Sequence, residues 1–167
     1  MCAAIVPVGA LQDVQRWSAP SGPLFRCIHA PVLDGQVRVS RGCAGRLCAM
    51  LIQRGARVDL RDSLLSETPL HKAVRANTID NVAVLVAHRA TDVRAVDVAG
   101  NTALHKAAAL PAVDLAVWNM LLAAEGASAA SKAVNADGAT VLQVAQRAHN
   151  SVAQALLRAF DAQISTY

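Results

Sequence analysis

An internal repeat constrains this chain more than any other feature. The segment Glu67-Thr68-Pro69-Leu70-His71-Lys72-Ala73-Val74 returns 34 residues later as Asn101-Thr102-Ala103-Leu104-His105-Lys106-Ala107-Ala108. A weaker copy follows, Ala139-Thr140-Val141-Leu142-Gln143-Val144-Ala145. A second marker keeps step: Gly55-Ala56, Arg89-Ala90 and Gly126-Ala127 each come just after an apolar run, namely Met50-Leu51-Ile52, Val84-Leu85-Val86 and Met120-Leu121-Leu122. A period of this size belongs to units that cannot bury an apolar face alone and therefore stack in a row.

The residue types have local reasons. Thr68 and Thr102 stand where a helix start needs its exposed N–H groups capped. Pro69 follows at a first-turn position, where its missing N–H costs nothing. His71 and His105 have the type and spacing of side chains that bond the backbone of a neighbouring turn. Ala73, Ala107 and Ala145 are small where helices must cross closely. Gly55 and Gly126 suit a helix end with positive φ, and Gly100 a tight turn. Val82, Leu85 and Val86 fall at i, i+3 and i+4, one face of a second helix.

These residues resemble the ankyrin repeat, whose period is about 33 residues and whose signature is T-P-L-H-x-A. Thr68 to Ala73 match it outright, and Thr102 to Ala107 match with Ala103 in place of Pro. Asp97-Val98-Ala99-Gly100-Asn101-Thr102 also follows the family's D-x-x-G-x-T. The resemblance covers about residues 42–160. It implies an all-α fold, a solenoid of helix-turn-helix repeats with short β-turn or hairpin fingers, about three to four repeats in number. The expected division is a degenerate N-terminal segment and partial repeat over 1–41, then an array over 42–167 whose third copy acts as a C-terminal capping repeat.

Departures from the pattern predict local changes. The turn Asp62-Ser63-Leu64-Leu65-Ser66 has one extra residue and no Gly before Glu67, so it should be longer and more exposed. The second repeat carries about three extra residues, around Leu110-Pro111-Ala112-Val113-Asp114 and Ala123-Ala124-Glu125, with Pro111 ending its first helix. Arg89 stands where Gly is expected; a left-handed conformation costs a non-Gly residue about 1 kcal/mol, so that corner should be reshaped. Gly22-Pro23-Leu24-Phe25-Arg26-Cys27-Ile28 echoes the signature faintly. An insert, Pro31 to Ser40, separates it from a second-helix-like stretch, Gly42 to Ile52, and Ile5 to Trp17 should cover the outer face.

Composition narrows the function. Apolar residues make up 54% of the chain and aromatics 3%, which excludes intrinsic disorder and predicts a small aliphatic core. No apolar run reaches the ~18 to 20 residues of a membrane span. The net charge of +4 is too weak to specify nucleic acid, although Arg16, Arg26, Arg38, Arg41 and Arg46 bias the first 46 residues towards an acidic partner. The apolar start lacks the basic residues of a signal peptide, so the four cysteines read as thiols in a reducing compartment, the cytoplasm or the nucleus. Phosphate-loop, nucleophile-elbow and zinc-protease motifs are absent, and the histidines recur with the repeat, so no enzyme, no cofactor and no metal are expected.

The expected function is therefore a non-catalytic protein–protein interaction module, monomeric, gripping another protein by the concave groove and finger tips that the family uses. The residues expected at those places are Arg61, Leu64, Leu65, Glu67, Arg75, Arg94, Val96, Val98, Asn101, Leu110, Asp137 and Arg147. Arg61, Arg75, Arg94 and Arg147 are expected to make a basic stripe, with charge reversal at Arg75 and Arg94 sparing thermal stability. Two alternatives stand beside this reading. One is a metal- or thiol-dependent activity of Cys27, His29, Cys43 and Cys48, whose spacing lacks paired C-x2-C knuckles. The other is weak nucleic-acid binding by arginines, with only Trp17 and Phe25 near for base stacking.

Overall fold

The computed structural model describes residues 41–164, with side chains from Gly45 onward. The calls on residues 1–40, including the echo of the signature and the cover over Ile5 to Trp17, lie outside the described residues. The helices are α1 (Arg41–Gln53), α2 (Pro69–Arg75), α3 (Ile79–Val86), α4 (Ala103–Ala109), α5 (Leu115–Ala123), α6 (Ala127–Lys132), α7 (Val141–Arg147) and α8 (Ser151–Ile164). An inner row runs α2 on α4 on α7, and an outer row runs α1 on α3 on α5 on α8, so like-shaped pairs lie side by side. The fold is an all-α repeat solenoid, as expected.

The inner helices are short because both ends are specified. Thr68, Thr102 and Thr140 are their N-caps, in extended conformation. The backbone N–H of each donates to a side chain three residues on: His71 Nδ1 at 3.3 Å, His105 Nδ1 at 3.2 Å, Gln143 Oε1 at 2.9 Å. The hydroxyl oxygens of Thr102 and Thr140 in turn accept from the backbone N–H of His105 and Gln143, completing a capping box. At the far ends, Asn77 and His149 adopt left-handed φ values of 50° and 53°. The second repeat differs there. Leu110 is extended, with ψ of 139°, as a residue before proline prefers, and the chain detours through Pro111 before α5.

The core is aliphatic and tightly apposed. Leu70, Leu85, Leu104, Leu121 and Leu157 are buried, and Ala73, Ala107 and Ala145 lie fully buried at the helix crossings. One large aromatic departs from the small aliphatic core expected: Trp118 is the largest fully buried side chain, on α5 where α3 carries Val82.

Three fingers connect the pairs. Asp62, Asp97 and Asn135 occupy one finger position, and the Oδ1 of each accepts two backbone N–H groups of its own turn. Ser66, Gly100 and Gly138 supply the left-handed residue that follows. The longer first finger, lacking Gly, thus forces Ser66 to φ of 53°. Fingers are stitched to one another: Val98 N–H donates to Leu65 O at 2.8 Å and Ala136 N–H to Ala99 O at 2.9 Å. Among the described residues no strand forms; the third finger holds one isolated bridge, Val134 with Thr140. A Cβ at Gly100 would sit 2.8 Å from the Ala136 nitrogen, on backbone with φ of +72°. Gly100→Ala is therefore expected to cost about 2 kcal/mol or more, strain and displaced finger together, read as a lower midpoint in chemical denaturation.

Two corners carry the predicted changes. The chain passes Arg89 without left-handed backbone: α3 ends in an αR cap at Ala87, and His88 N–H and Thr91 N–H close the turn on Leu85 O and His88 O. Gly55 and Gly126 do take positive φ, 91° and 84°. After Gly126, however, the chain enters the short helix α6, which the sequence reading did not anticipate. Ala127 and Ala130 tuck it against the array.

Candidate functional site

The inner helices and fingers together form one side of the array, and its floor is a chain of charges. Lys72, in the x position of the signature, pairs with Asp62 at 2.5 Å. Its counterpart Lys106 pairs with Asp97 at 2.6 Å and reaches across to Glu67 of the preceding finger at 3.2 Å. Arg75 meets the other oxygen of Glu67 at 3.3 Å. Glu67 is 0% exposed, held by cations on either side. Three carboxylates thus face three cations, and the floor presents no net charge.

The titration behaviour follows. Burial pushes the Asp62 carboxyl up, but Lys72 and the N–H groups of Leu65 and Glu67 outweigh it and hold it below its ordinary value. Asp97 is likewise raised by burial and brought below its ordinary value by Lys106 and Asn101. Burial pulls Lys106 down, and Asp97 with Glu67 more than restores it, leaving it raised.

Beneath this network the two signature histidines tie successive repeats. His71 Nε2 donates to the carbonyl of Asn101 at 2.9 Å and His105 Nε2 to that of Ala139 at 3.2 Å. Because Nε2–H serves a carbonyl, Nδ1 is left as the acceptor for the Thr cap, so both rings are neutral. Burial lowers both pKa values, against the opposing pull of the Asn101 and Ala139 carbonyls. The expected staple to a neighbouring turn is thus present in both repeats.

The fingers end in apolar side chains. Leu64 is 86% exposed and Val98 66%; Leu65, Val96 and Val134 are also exposed. Val96 and Val98 flank the inward-facing Asp97, and Val134 flanks Asn135 in the same way, so alternation turns them outward. Since the fingers are hydrogen-bonded to each other, these residues make a ridge across three repeats.

The remaining expected site residues fall into distinct places. Arg61 bonds the carbonyl of Val96 and Arg94 pairs with Asp92 at 3.0 Å, so with Arg75 committed to Glu67 the arginines do not line up as a stripe of unmatched charge. Reversing Arg75 would set a carboxylate against buried Glu67, so that substitution does not spare stability. Glu67 itself is not at a tip, because Arg75 and Lys106 draw it inward. Asn101 accepts from Asn135 Nδ2 at 3.1 Å and is spent on linking fingers. Leu110 is half-buried, its carbonyl bonded by Asn150 at 2.8 Å. Asp137 and Arg147 are exposed. Sequence reasoning missed Val134, whose signal was its register with Val96, each directly before the finger's Asp or Asn. The Cys27 and His29 of the metal reading lie outside the described residues, as does the Cys43 side chain; Cys48 is buried in α1. Among the described residues no cluster of three potential metal ligands forms, and no helix is long and apolar enough to cross a membrane.

Helix pairs stacked in two rows, with capped inner helices and linked fingers, define a repeat solenoid of the kind built for binding. A family model for ankyrin repeats in three copies matches residues 38–129, more than half of the chain. The chain belongs to the ankyrin repeat family, whose members serve generally as protein–protein interaction modules. No curated protein sequence matches it.

Proposed function

We propose that this chain is a non-catalytic binding module, acting as a monomer in the cytoplasm or nucleus, that docks a partner protein on the finger ridge. The array over 42–167 is the working unit in this reading. The observation that carries it is the placement of Leu64, Leu65, Val96, Val98 and Val134, exposed on three fingers fixed to one another by backbone hydrogen bonds. Exposed apolar groups scattered singly are ordinary; a contiguous row of them on rigid supports suits recognition. The charged floor beside the ridge is internally neutral, so the ridge selects an uncharged apolar strip of its partner. Leu110, Asp137 and Arg147 flank that contact, and Arg61, Arg75 and Arg94 hold the fingers and floor in shape.

The test is the double variant Leu64→Asp with Val98→Asp. Both side chains are exposed, so the thermal midpoint should stay within about 2 °C of wild type. Affinity for a partner captured by the wild-type protein should fall at least tenfold, since charge at the centre of an apolar contact is poorly tolerated. Unchanged affinity would remove the ridge as the docking surface.

A further inference from the structure

The finger ridge lies at the N-terminal ends of the inner helices. At their C-terminal ends, about 10 Å away along a seven-residue helix, the turns into the outer helices form a second edge. Two of these turns have three residues, 76–78 and 148–150, and the middle one has five, 110–114. The neighbouring turns hold the ends of the longer one. The N–H of Asp114 donates to Asn77 Oδ1 at 3.1 Å, and Asn150 Nδ2 donates to the carbonyl of Leu110 at 2.8 Å. Pro111 and Ala112 stand exposed between these two clamps. The fixed φ of Pro111 makes the bulge stiff as well as tethered.

Apolar groups continue along the edge. Ile79 at the start of α3 is 38% exposed, Leu115 at the start of α5 52% and Val152 at the start of α8 55%. Because α3 packs on α5 and α5 on α8, at the ~8–10 Å of packed helices, the row is about 20 Å long. Exposed side chains add little to the core, and ordering an exposed loop costs entropy that burial does not return. An apolar row that is rigid yet unburied has the character of a docking surface.

Charge indicates what docks there. Asp80 follows Ile79 and Asp114 precedes Leu115; both are exposed, and neither has an ion pair among the described residues. Asp114 Oδ1 caps α5 at the N–H of Ala116, which leaves its charge unmatched. Exposed Arg46 stands on α1 beside Gly45, the residue that meets Asp80, and exposed Arg147 ends α7. The cations therefore bound the edge, and the two carboxylates occupy its middle beside Leu115. An apolar strip flanked by uncompensated carboxylates complements a segment that mixes apolar and basic side chains.

We propose that this turn edge is a second docking surface, and that its occupant is a segment of another protein with apolar side chains flanked by Lys or Arg. The apolar groups cover Ile79, Pro111 and Leu115, and the cations meet Asp80 and Asp114. Because the edge is separate from the finger ridge, the chain holds two partners at once and joins them. Only that joining rests on the ridge reading above.

The probe is a synthetic peptide of Lys-Leu-Ser repeats, titrated into the isotope-labelled full chain and followed by amide chemical shifts. The chain carries a net charge of +4, so it repels a basic peptide as a whole, and binding confined to one edge is informative. Shifts should centre on residues 77–80 and 110–116. Asp80→Asn with Asp114→Asn keeps the cap, because asparagine caps as well as aspartate, and should weaken binding about fivefold. Leu115→Ser should weaken it about tenfold. Leu64→Ser with Val98→Ser, on the ridge, should leave it within about twofold, whether or not the ridge reading holds. Shifts centred on the fingers, an equal response to a peptide with Glu in place of Lys, or no response would overturn the proposal. Two other occupants would show before any peptide is added. Nuclear Overhauser contacts from the Leu115 methyls to residues 1–40 would assign the edge to the chain's own N-terminal segment, and edge shifts that grow with protein concentration would assign it to a second copy. Either result overturns the proposal.

Discussion

Lys106→Met is expected to be the most damaging single substitution on the charged floor, lowering stability by about 3–5 kcal/mol. The replacement keeps the length of the stem, so packing changes little and the loss is electrostatic. Lys106 Nζ serves Asp97 at 2.6 Å and Glu67 at 3.2 Å, and both carboxylates are almost wholly shielded from water. Without the ammonium, Glu67 keeps only Arg75 at 3.3 Å, and Asp97 keeps the hydrogen bonds of its own finger. Removing one member of a buried pair costs more than the pair is worth, because the survivor stays charged in a poor solvent. Against a typical total of about 5–15 kcal/mol, this is a large fraction. Urea denaturation should show a lower midpoint at constant slope. Lys72→Met should cost less, because Lys106 bridges two carboxylates, Glu67 among them without backbone donors, whereas the partner of Lys72, Asp62, retains the N–H groups of Leu65 and Glu67 at 2.8 and 3.2 Å. Glu67→Gln in the Lys106→Met background should recover part of the loss, and a double-mutant cycle measures the coupling. A Lys106→Met protein within 1 kcal/mol of wild type would show that water screens the network after all.

What the sequence disclosed was whatever is written by residue type at a fixed period. Thr, His, Ala and Gly in register each solve a local problem, so the helix pairs, the caps, the histidine staples and the reshaped corner at Arg89 were legible. Helix α6 was not, because Ala127 to Lys132 carries no periodic signal and forms where tertiary packing accepts Ala127 and Ala130. Glu67 was misplaced for a similar reason. Its finger position reads as a tip, and only the three-dimensional meeting of Arg75 with Lys106, from the next repeat, turns the carboxylate inward. Nothing in the sequence marks Asn81 as buried, and its burial follows from the stacking of neighbours. Single arginines announce charge but not partner: Arg61, Arg75 and Arg94 each found one within the fold. The apolar fingertips were half legible, with Leu64 and Leu65 conspicuous as a pair and Val134 visible only once fingers are aligned.

Replacing both signature histidines by glutamine is expected to make the array insensitive to mild acid. In the folded protein, burial holds His71 and His105 below their ordinary pKa, and each Nδ1 already accepts from a Thr N–H. A proton there would take the lone pair that caps the helix. The unfolded chain has no such restraint and binds the proton near pH 6.5. The wild type is thus fully stabilised by these groups above about pH 6.5. It loses stability as pH falls below that value, by at most about 1.4 kcal/mol per pH unit for each histidine, until the folded values are reached. Asp62 and Asp97, depressed in the fold, have the lower window: their contribution holds above the ordinary carboxylate range near pH 4 and disappears as pH falls through their folded values. Lys106, raised, contributes below its ordinary value and is lost as strong alkali passes its folded one. The third repeat already shows what glutamine does at this site, since Gln143 Oε1 accepts from Thr140 N–H at 2.9 Å with no titrating group. Denaturation midpoints of wild type and His71→Gln/His105→Gln, taken from pH 7.5 to 5, should therefore diverge in slope: steep for the wild type, nearly flat for the variant. Its absolute stability at pH 7.5 should be lower, because glutamine makes no Nε2-like staple to Asn101 and Ala139. Parallel slopes would mean that the histidines take up protons in the fold as freely as in the unfolded chain, and the capping role of Nδ1 would fall with that result.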